Sequence, residues 1–166
     1  MKRVRWLGGL VVLASGVAAT TLSAQIRRVP ERLPAPEPQF TPKFEALAET
    51  KLLMEGLAHP NYRAVEKHLR GEGPQDVETW TFARGQALLV AETGNLLLLR
   101  PPRNQGRDTW MRRAIDMRQS AGTLARQLGR RDLPRSRTAL LDLTNKCNNC
   151  HQTFRVSRRI GPNEED

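Results

Sequence analysis

The sequence predicts an all-α protein, an antiparallel four-helix bundle, and three observations carry that prediction. From Lys43 onward apolar side chains recur at intervals of three and four, which lines one face of a helix, and they do not alternate as a half-buried strand requires. Prolines and glycines cluster at Gly71-Glu72-Gly73-Pro74, at Pro101-Pro102 and between Gly129 and Pro134, and they cut the pattern into four segments. The connections are short, and short connections between amphipathic helices fold them back onto one another.

Two stretches precede the helical part. Lys2, Arg3 and Arg5 followed by the apolar run Leu7 to Leu22 and by Leu22-Ser23-Ala24 read as an export signal over residues 1–24. A cut after Ala19 is the alternative site. The run holds sixteen residues and is interrupted by Gly8, Gly9 and Gly16, which is short for a bilayer span; an uncleaved anchor is the competing reading. Residues 25–42 hold five of the eleven prolines and read as a semi-rigid tether. The folded part is expected over residues 43–158, with a disordered tail at 159–166.

The first helical segment is expected from Lys43 to Arg70, with Phe44, Leu47, Met54 and Ala58 near one face and Leu53 and Leu57 beside it. His59-Pro60 should kink it, because proline lacks a backbone donor and restricts the residue before it. Pro74 and Asp76 open the second segment, residues 75–99, which carries Val77, Trp80, Ala87, Ala91 and Leu98. Gly85 and Gly94 are expected to admit a close backbone neighbour. Asp108 stands where an N-cap belongs, ahead of the most regular stripe in the chain: Trp110, Ala114, Met117, Ala121, Leu124 and Leu128. The last segment runs from Pro134 to Arg158. Its stripe of Leu140, Leu143 or Thr144, Cys147, Cys150 or His151, and Phe154 continues into the residues that carry the chemistry.

Those residues are Cys147-Asn148-Asn149-Cys150-His151, which contain both cysteines and one of the three histidines of the chain. This is a c-type haem attachment signature: two thiols one turn apart can add across two porphyrin vinyl groups while the adjacent imidazole reaches the iron. A dithiol redox centre would call for a βαβ pattern, which is absent from the sequence. Half of a zinc site would call for a second pair at ligand spacing, and His59 and His68 are far upstream and nine residues apart. Because the attachment residues continue the buried leucine stripe, the haem is expected to face the core, as cofactors in bundles do.

At 166 residues the chain is long enough for one domain with its own core, and the motif uses both cysteines, so no structural disulfide is expected. The formal charge of +10 is unevenly spread: residues 43–99 hold six basic and eight acidic side chains, whereas residues 100–137 hold eleven arginines against Asp108, Asp116 and Asp132. Such a face suits an acidic redox partner or an anionic lipid surface. The plainer reading is an arginine-rich composition, with 22 arginines and 5 lysines in all. Nucleic acid is not expected as a partner, since no recognition module or aromatic interleaving accompanies the charge.

With four helices and the attachment motif near the end of the last one, the chain resembles the class II c-type cytochromes, the cytochrome c-prime family. Cys147 through Arg155 is similar to that family's Cys-x-x-Cys-His-x-x-aromatic-basic pattern, matching at both cysteines, His151, Phe154 and Arg155. The resemblance spans residues 43–158, and outside the motif it rests on length and patterning. It implies one covalently attached haem c, thioethers at Cys147 and Cys150, His151 as proximal ligand, attachment outside the cytoplasm and, often in this family, a homodimer. A periplasmic or otherwise exported location follows. Phe154 would pack beside the cofactor, and Arg155 would either pair with a haem propionate or remain a solvated residue at the helix end.

In the family the sixth position of the iron is lined by the first helix. A methionine there gives a six-coordinate electron carrier, and a bulky apolar residue leaves a five-coordinate gas-binding site. Met54 is the methionine of the first segment; a one-residue change of register would put Leu53 or Leu57 in its place. His59 and His68 are weaker candidates. Electron transfer is thus the first expectation, and binding of nitric oxide or carbon monoxide the alternative. An enzyme is not expected, because no distal Arg/His pair is placed to supply acid/base chemistry.

Overall fold

The computed structural model describes residues 43–103 and 106–161. The export signal expected at 1–24, the tether at 25–42 and residues 162–166 of the expected tail lie outside the described residues. Among the described residues the structure is helical and strand-free. It comprises α1 (Thr50–Leu53), a π-helical turn (Met54–Ala58), α2 (His59–His68), α3 (Val77–Leu98), α4 (Arg107–Gly129) and α5 (Leu133–Thr153). Because α1, the π-turn and α2 follow without a break, these elements form four rods packed around one core. No described helix is long and apolar enough to cross a membrane.

The first rod starts later than the periodicity predicts. Residues 43–49 are not helical, and Phe44 and Leu47 are 83% and 89% exposed. Their spacing matched a helix face, but no other element covers that face. The backbone there is held from outside, by Arg100 Nε donating to the Ala48 carbonyl at 2.9 Å. At Pro60 the rod changes register. The His59 N–H reaches back five residues to the Met54 carbonyl, and Asn61 Nδ2 donates to the Leu57 carbonyl at 2.7 Å. A proline cannot donate, so neighbouring carbonyls find other partners, and the expected kink takes the form of a π-turn.

α3 begins at a true cap: Asp76 accepts from the Thr79 N–H at 2.7 Å and from the Thr79 hydroxyl, which holds its carboxyl below the usual range. Trp80, Ala87 and Ala91 are buried as expected, but Val77, in the first turn, is 55% exposed. Gly94 admits a close neighbour, since a Cβ there would stand 2.9 Å from Arg118 Cβ and 3.0 Å from the Ala114 carbonyl. Gly85 has no such neighbour; nothing lies within 4 Å of a Cβ placed on it.

α4 carries the predicted stripe, with Ala114, Met117, Ala121, Leu124 and Leu128 buried and Trp110 partly so. Its cap is Gly106, in the left-handed region at φ 80°, and not Asp108, which sits in the first turn beside the positive end of the helix. α5 is capped by Asp132, which accepts from the Arg135 N–H at 2.9 Å. Arg137 ties its start to the end of α2, donating to the carbonyls of Leu69 and Gly71. The buried pair Tyr62 and Thr144, 2.7 Å apart, joins the two rods farther along.

α5 stops at Thr153 and not at Arg158. The Val156 N–H bonds the His151 carbonyl at 2.8 Å and the Arg155 N–H bonds the Gln152 carbonyl at 3.3 Å, with Arg155 left-handed at φ 58°. That is a Schellman stop, with arginine where glycine is usual. Beyond it residues 156–161 run as a strap, and Ile160 is only 9% exposed. Of the stretch expected as a disordered tail from 159, residues 159–161 belong to this strap: Asn148 holds the Ile160 backbone through both its N–H and its carbonyl.

Candidate haem site

Between the end of α5, the first rod and α4 lies a cavity of about 620 Å³. Met54, Cys147, Cys150, His151 and Phe154 all line it. The α5 residues reach it because their spacing extends the face on which Leu143 is fully buried. On the first rod, Met54, Ala58 and Tyr62 are four residues apart and share the facing side; Leu53 and Leu57 are not in the cavity wall. Of the three residues that the sequence left open, Met54 is the one in the cavity wall. His59 also lines the cavity, whereas His68 packs edge-on against Phe82 with centroids 5.9 Å apart.

Arg155 is the nominated residue that the structure leaves out. It is exposed and off the cavity wall. A last helix running to Arg158 would keep it one turn beyond His151, but the Schellman stop turns the chain two residues earlier, and its exposure matches the solvated helix-end alternative. Phe154, at the cap, stays inside. Its ring meets Trp110 edge to face, at 5.1 Å and 73°, and the Trp110 indole N–H donates to the Leu97 carbonyl at 2.7 Å.

His151 Nδ1 lies 2.7 Å from the Arg158 carbonyl. A carbonyl only accepts, so Nδ1 carries a proton, and in the neutral ring Nε2 keeps its lone pair. A metal-binding imidazole needs that state, with the outer nitrogen committed to a backbone oxygen. Among the described residues no group of three or more His, Cys, Asp or Glu side chains converges to hold a metal ion.

Both cysteines are free thiols. Burial pushes the Cys147 thiol up to about 12, with Cys150 beside it adding to the rise. Burial also raises Cys150; Arg113 partly offsets this and Asp116 works against that offset. Both are neutral thiols at ordinary pH. A dithiol redox centre needs the opposite, an exposed and stabilised thiolate.

Three features of the site were not legible in the sequence. Arg113 looked like one more surface arginine, yet it lines the cavity, and its Nε is buried without a hydrogen-bond partner. Tyr62 follows Ala58 at helical spacing, but no motif marks it; burial raises its phenol, and the bond to Thr144 satisfies the hydroxyl. The strap, with Val156, Arg158 and Ile160 in the cavity wall, has no periodicity by which to find it. No protein-family model matches the chain, and no curated protein matches it in sequence.

Proposed function

We propose that this chain is an exported monohaem c-type cytochrome that transfers electrons, with haem attached through Cys147 and Cys150, His151 as proximal ligand and Met54 as sixth ligand. One observation carries the proposal: Met54, Cys147, Cys150 and His151 converge on a single cavity, with the His151 Nδ1 proton already committed to a backbone carbonyl. The residues fit the group. The cavity, about 620 Å³, falls in the range of cofactor sites. Neutral thiols suit addition of S–H across a vinyl group, which forms one C–S and one C–H bond and releases nothing. The unpartnered Arg113 Nε offers a hydrogen bond to an anionic carboxylate, such as a haem propionate.

Haem bound there supplies a one-electron iron couple. The chain would do the rest. His151 would hold the proximal position through Nε2, and the Arg158 carbonyl would raise the basicity of its ring. A thioether from Met54 would favour the reduced state and raise the potential. Trp110 and Phe154 would exclude water from one wall. The arginines of α4 and its flanks would draw an acidic redox partner to the surface. Export is supported by the N-terminal pattern of residues 1–24.

An antiparallel arrangement of the rods belongs to the same proposal. Leu97, late in α3, meets Trp110, early in α4, while Arg84 of α3 faces Gly129 at the end of α4. Leu69, just past α2, meets Arg137 near the start of α5.

The second reading, a five-coordinate site for nitric oxide or carbon monoxide, is favoured by Ala58 and Val90, small apolar residues in the cavity wall. The absorption spectrum of the exported protein separates the two. A low-spin ferrous spectrum with sharp α and β bands that resists carbon monoxide is expected. A high-spin spectrum that shifts at once with carbon monoxide would move gas binding to first place. No Soret band after export with the maturation machinery would refute a haem protein altogether.

A further inference from the structure

We propose that Asn148, the residue after the first motif cysteine, is a positioning residue for His151 and acts through the C-terminal strap. Its Nδ2 donates to the Ile160 carbonyl at 2.7 Å, and its Oδ1 accepts from the Ile160 N–H at 2.8 Å. Two bonds from one planar amide to the backbone of one residue fix both the position and the direction of the strap there. The Ile160 side chain, 9% exposed, adds an apolar anchor in the core. At the other end the strap is pinned to the helix by the Val156 N–H on the His151 carbonyl, 2.8 Å.

Between those two pins lies Arg158, whose carbonyl takes the His151 Nδ1 proton at 2.7 Å. Within the strap, residues 156–160 are tied to one turn of α5 by four hydrogen bonds. The carbonyl is therefore presented to the imidazole by Asn148 and not by the helix. Helix geometry alone cannot do this, because the carbonyls of α5 run parallel to its axis and the stop at Thr153 has already turned the chain away. The motif thus does two things: its cysteines and histidine form the site, and one of its two variable residues fixes which nitrogen of that histidine is available.

The ligand role of His151 rests on the haem reading above, but its tautomer does not, and the experiment separates the two. Ring ¹⁵N shifts of His151 are to be measured near pH 8 in the full chain prepared without haem, for the wild type, Asn148→Ala and the nearly isosteric Asn148→Asp. The Nδ1–H tautomer is expected in the wild type. The Nε2–H form should rise severalfold in both variants, with exchange of the Ile160 amide accelerated by about tenfold or more in Asn148→Ala, which removes its acceptor. In haem-loaded protein the same variants should raise the reduction potential and, in a Met54→Leu background that leaves the ferrous iron five-coordinate, lower the iron–histidine stretching frequency, because a weaker hydrogen bond makes a less basic imidazole. A general loss of stability would not move that frequency.

Variants that keep the wild-type tautomer, or a haem-loaded Asn148→Ala with unchanged frequency and potential, would overturn the proposal. If the wild-type chain takes up no haem, the tautomer measurement alone decides the role of Asn148. If the haem-free chain does not fold, the haem-loaded comparison decides it.

Discussion

Gly85 and Gly94 lie on the same helix, nine residues apart, and changing each to alanine should have opposite effects on stability. The helix-propensity gain is common to both, close to 1 kcal/mol. At Gly85 nothing lies within 4 Å of the new Cβ, so that gain stands alone. At Gly94 the Cβ would be 2.9 Å from Arg118 Cβ and 3.0 Å from both the Ala114 carbonyl oxygen and the Arg118 nitrogen. Two of those atoms are backbone and cannot rotate away. Favourable contacts between heavy atoms start near about 3.5 Å, so α3 and α4 must separate by roughly half an ångström. Overpacking of this kind costs about 1–3 kcal/mol. Subtracting the propensity gain leaves Gly94→Ala destabilised by about 0–2 kcal/mol, and the two variants should differ by about 1–3 kcal/mol, or roughly 4–12 °C in Tm. Urea and thermal unfolding of the haem-loaded protein followed by circular dichroism measures that difference. The Leu97–Trp110 bond lies one turn from Gly94 and both residues line the cavity, so Gly94→Ala should also lower the fraction of exported protein that carries haem. If Gly94→Ala proves as stable as Gly85→Ala, the close approach of α3 and α4 is wrong.

Two further outcomes test the site itself. Met54→Leu conserves volume and should cost less than about 1.5 kcal/mol in stability, while converting a low-spin, carbon monoxide-resistant ferrous spectrum into a high-spin one that binds the gas; an unchanged low-spin spectrum would remove Met54 as ligand. The alkaline limb of stability should depend on the thiols. The Cys147 pKa is raised in the folded chain from an ordinary 9.0 to about 12, so the folded state retains a proton that the unfolded state releases. Its contribution is complete below pH 9 and is lost as pH rises toward 12, on the order of 4 kcal/mol across that window. Urea midpoints of the haem-free chain between pH 8 and about 11 should fall more steeply than those of Cys147→Ala, whereas haem-loaded protein with thioethers has no such thiol to titrate. Equal slopes in the haem-free chain and Cys147→Ala would show that the fold does not raise the Cys147 thiol.

The α4 stripe was legible because a helix covered along its whole length by neighbours keeps its apolar residues in strict register; Ala114, Met117, Ala121, Leu124 and Leu128 are all buried. Phe44 and Leu47 had the same spacing and are exposed, since spacing states which residues share a face and not whether another element lies against it. Asp108 as a cap and Arg155 as a residue inside the last helix failed for a related reason. Each lies within one turn of a helix end, where glycine conformation at Gly106 and the bonds of a Schellman stop, not periodicity, decide where the helix ends.

What the sequence determined by itself was local chemistry: helices with their breaks, and a Cys-x-x-Cys-His stretch whose cysteines continue the apolar stripe of the last helix. These follow from covalent spacing and a 3.6-residue period, which act within a few turns. Tertiary structure decided everything that joins distant parts of the chain. It brought Met54, and not Leu53 or Leu57, to the cavity wall that holds Cys147, 93 residues later in the chain, turned Arg113 inward, and laid the strap so that Arg158 meets His151. Those choices depend on helix rotation and on where a turn releases the chain. Both are settled by packing between segments far apart in sequence, where a change of one residue in register reverses the outcome.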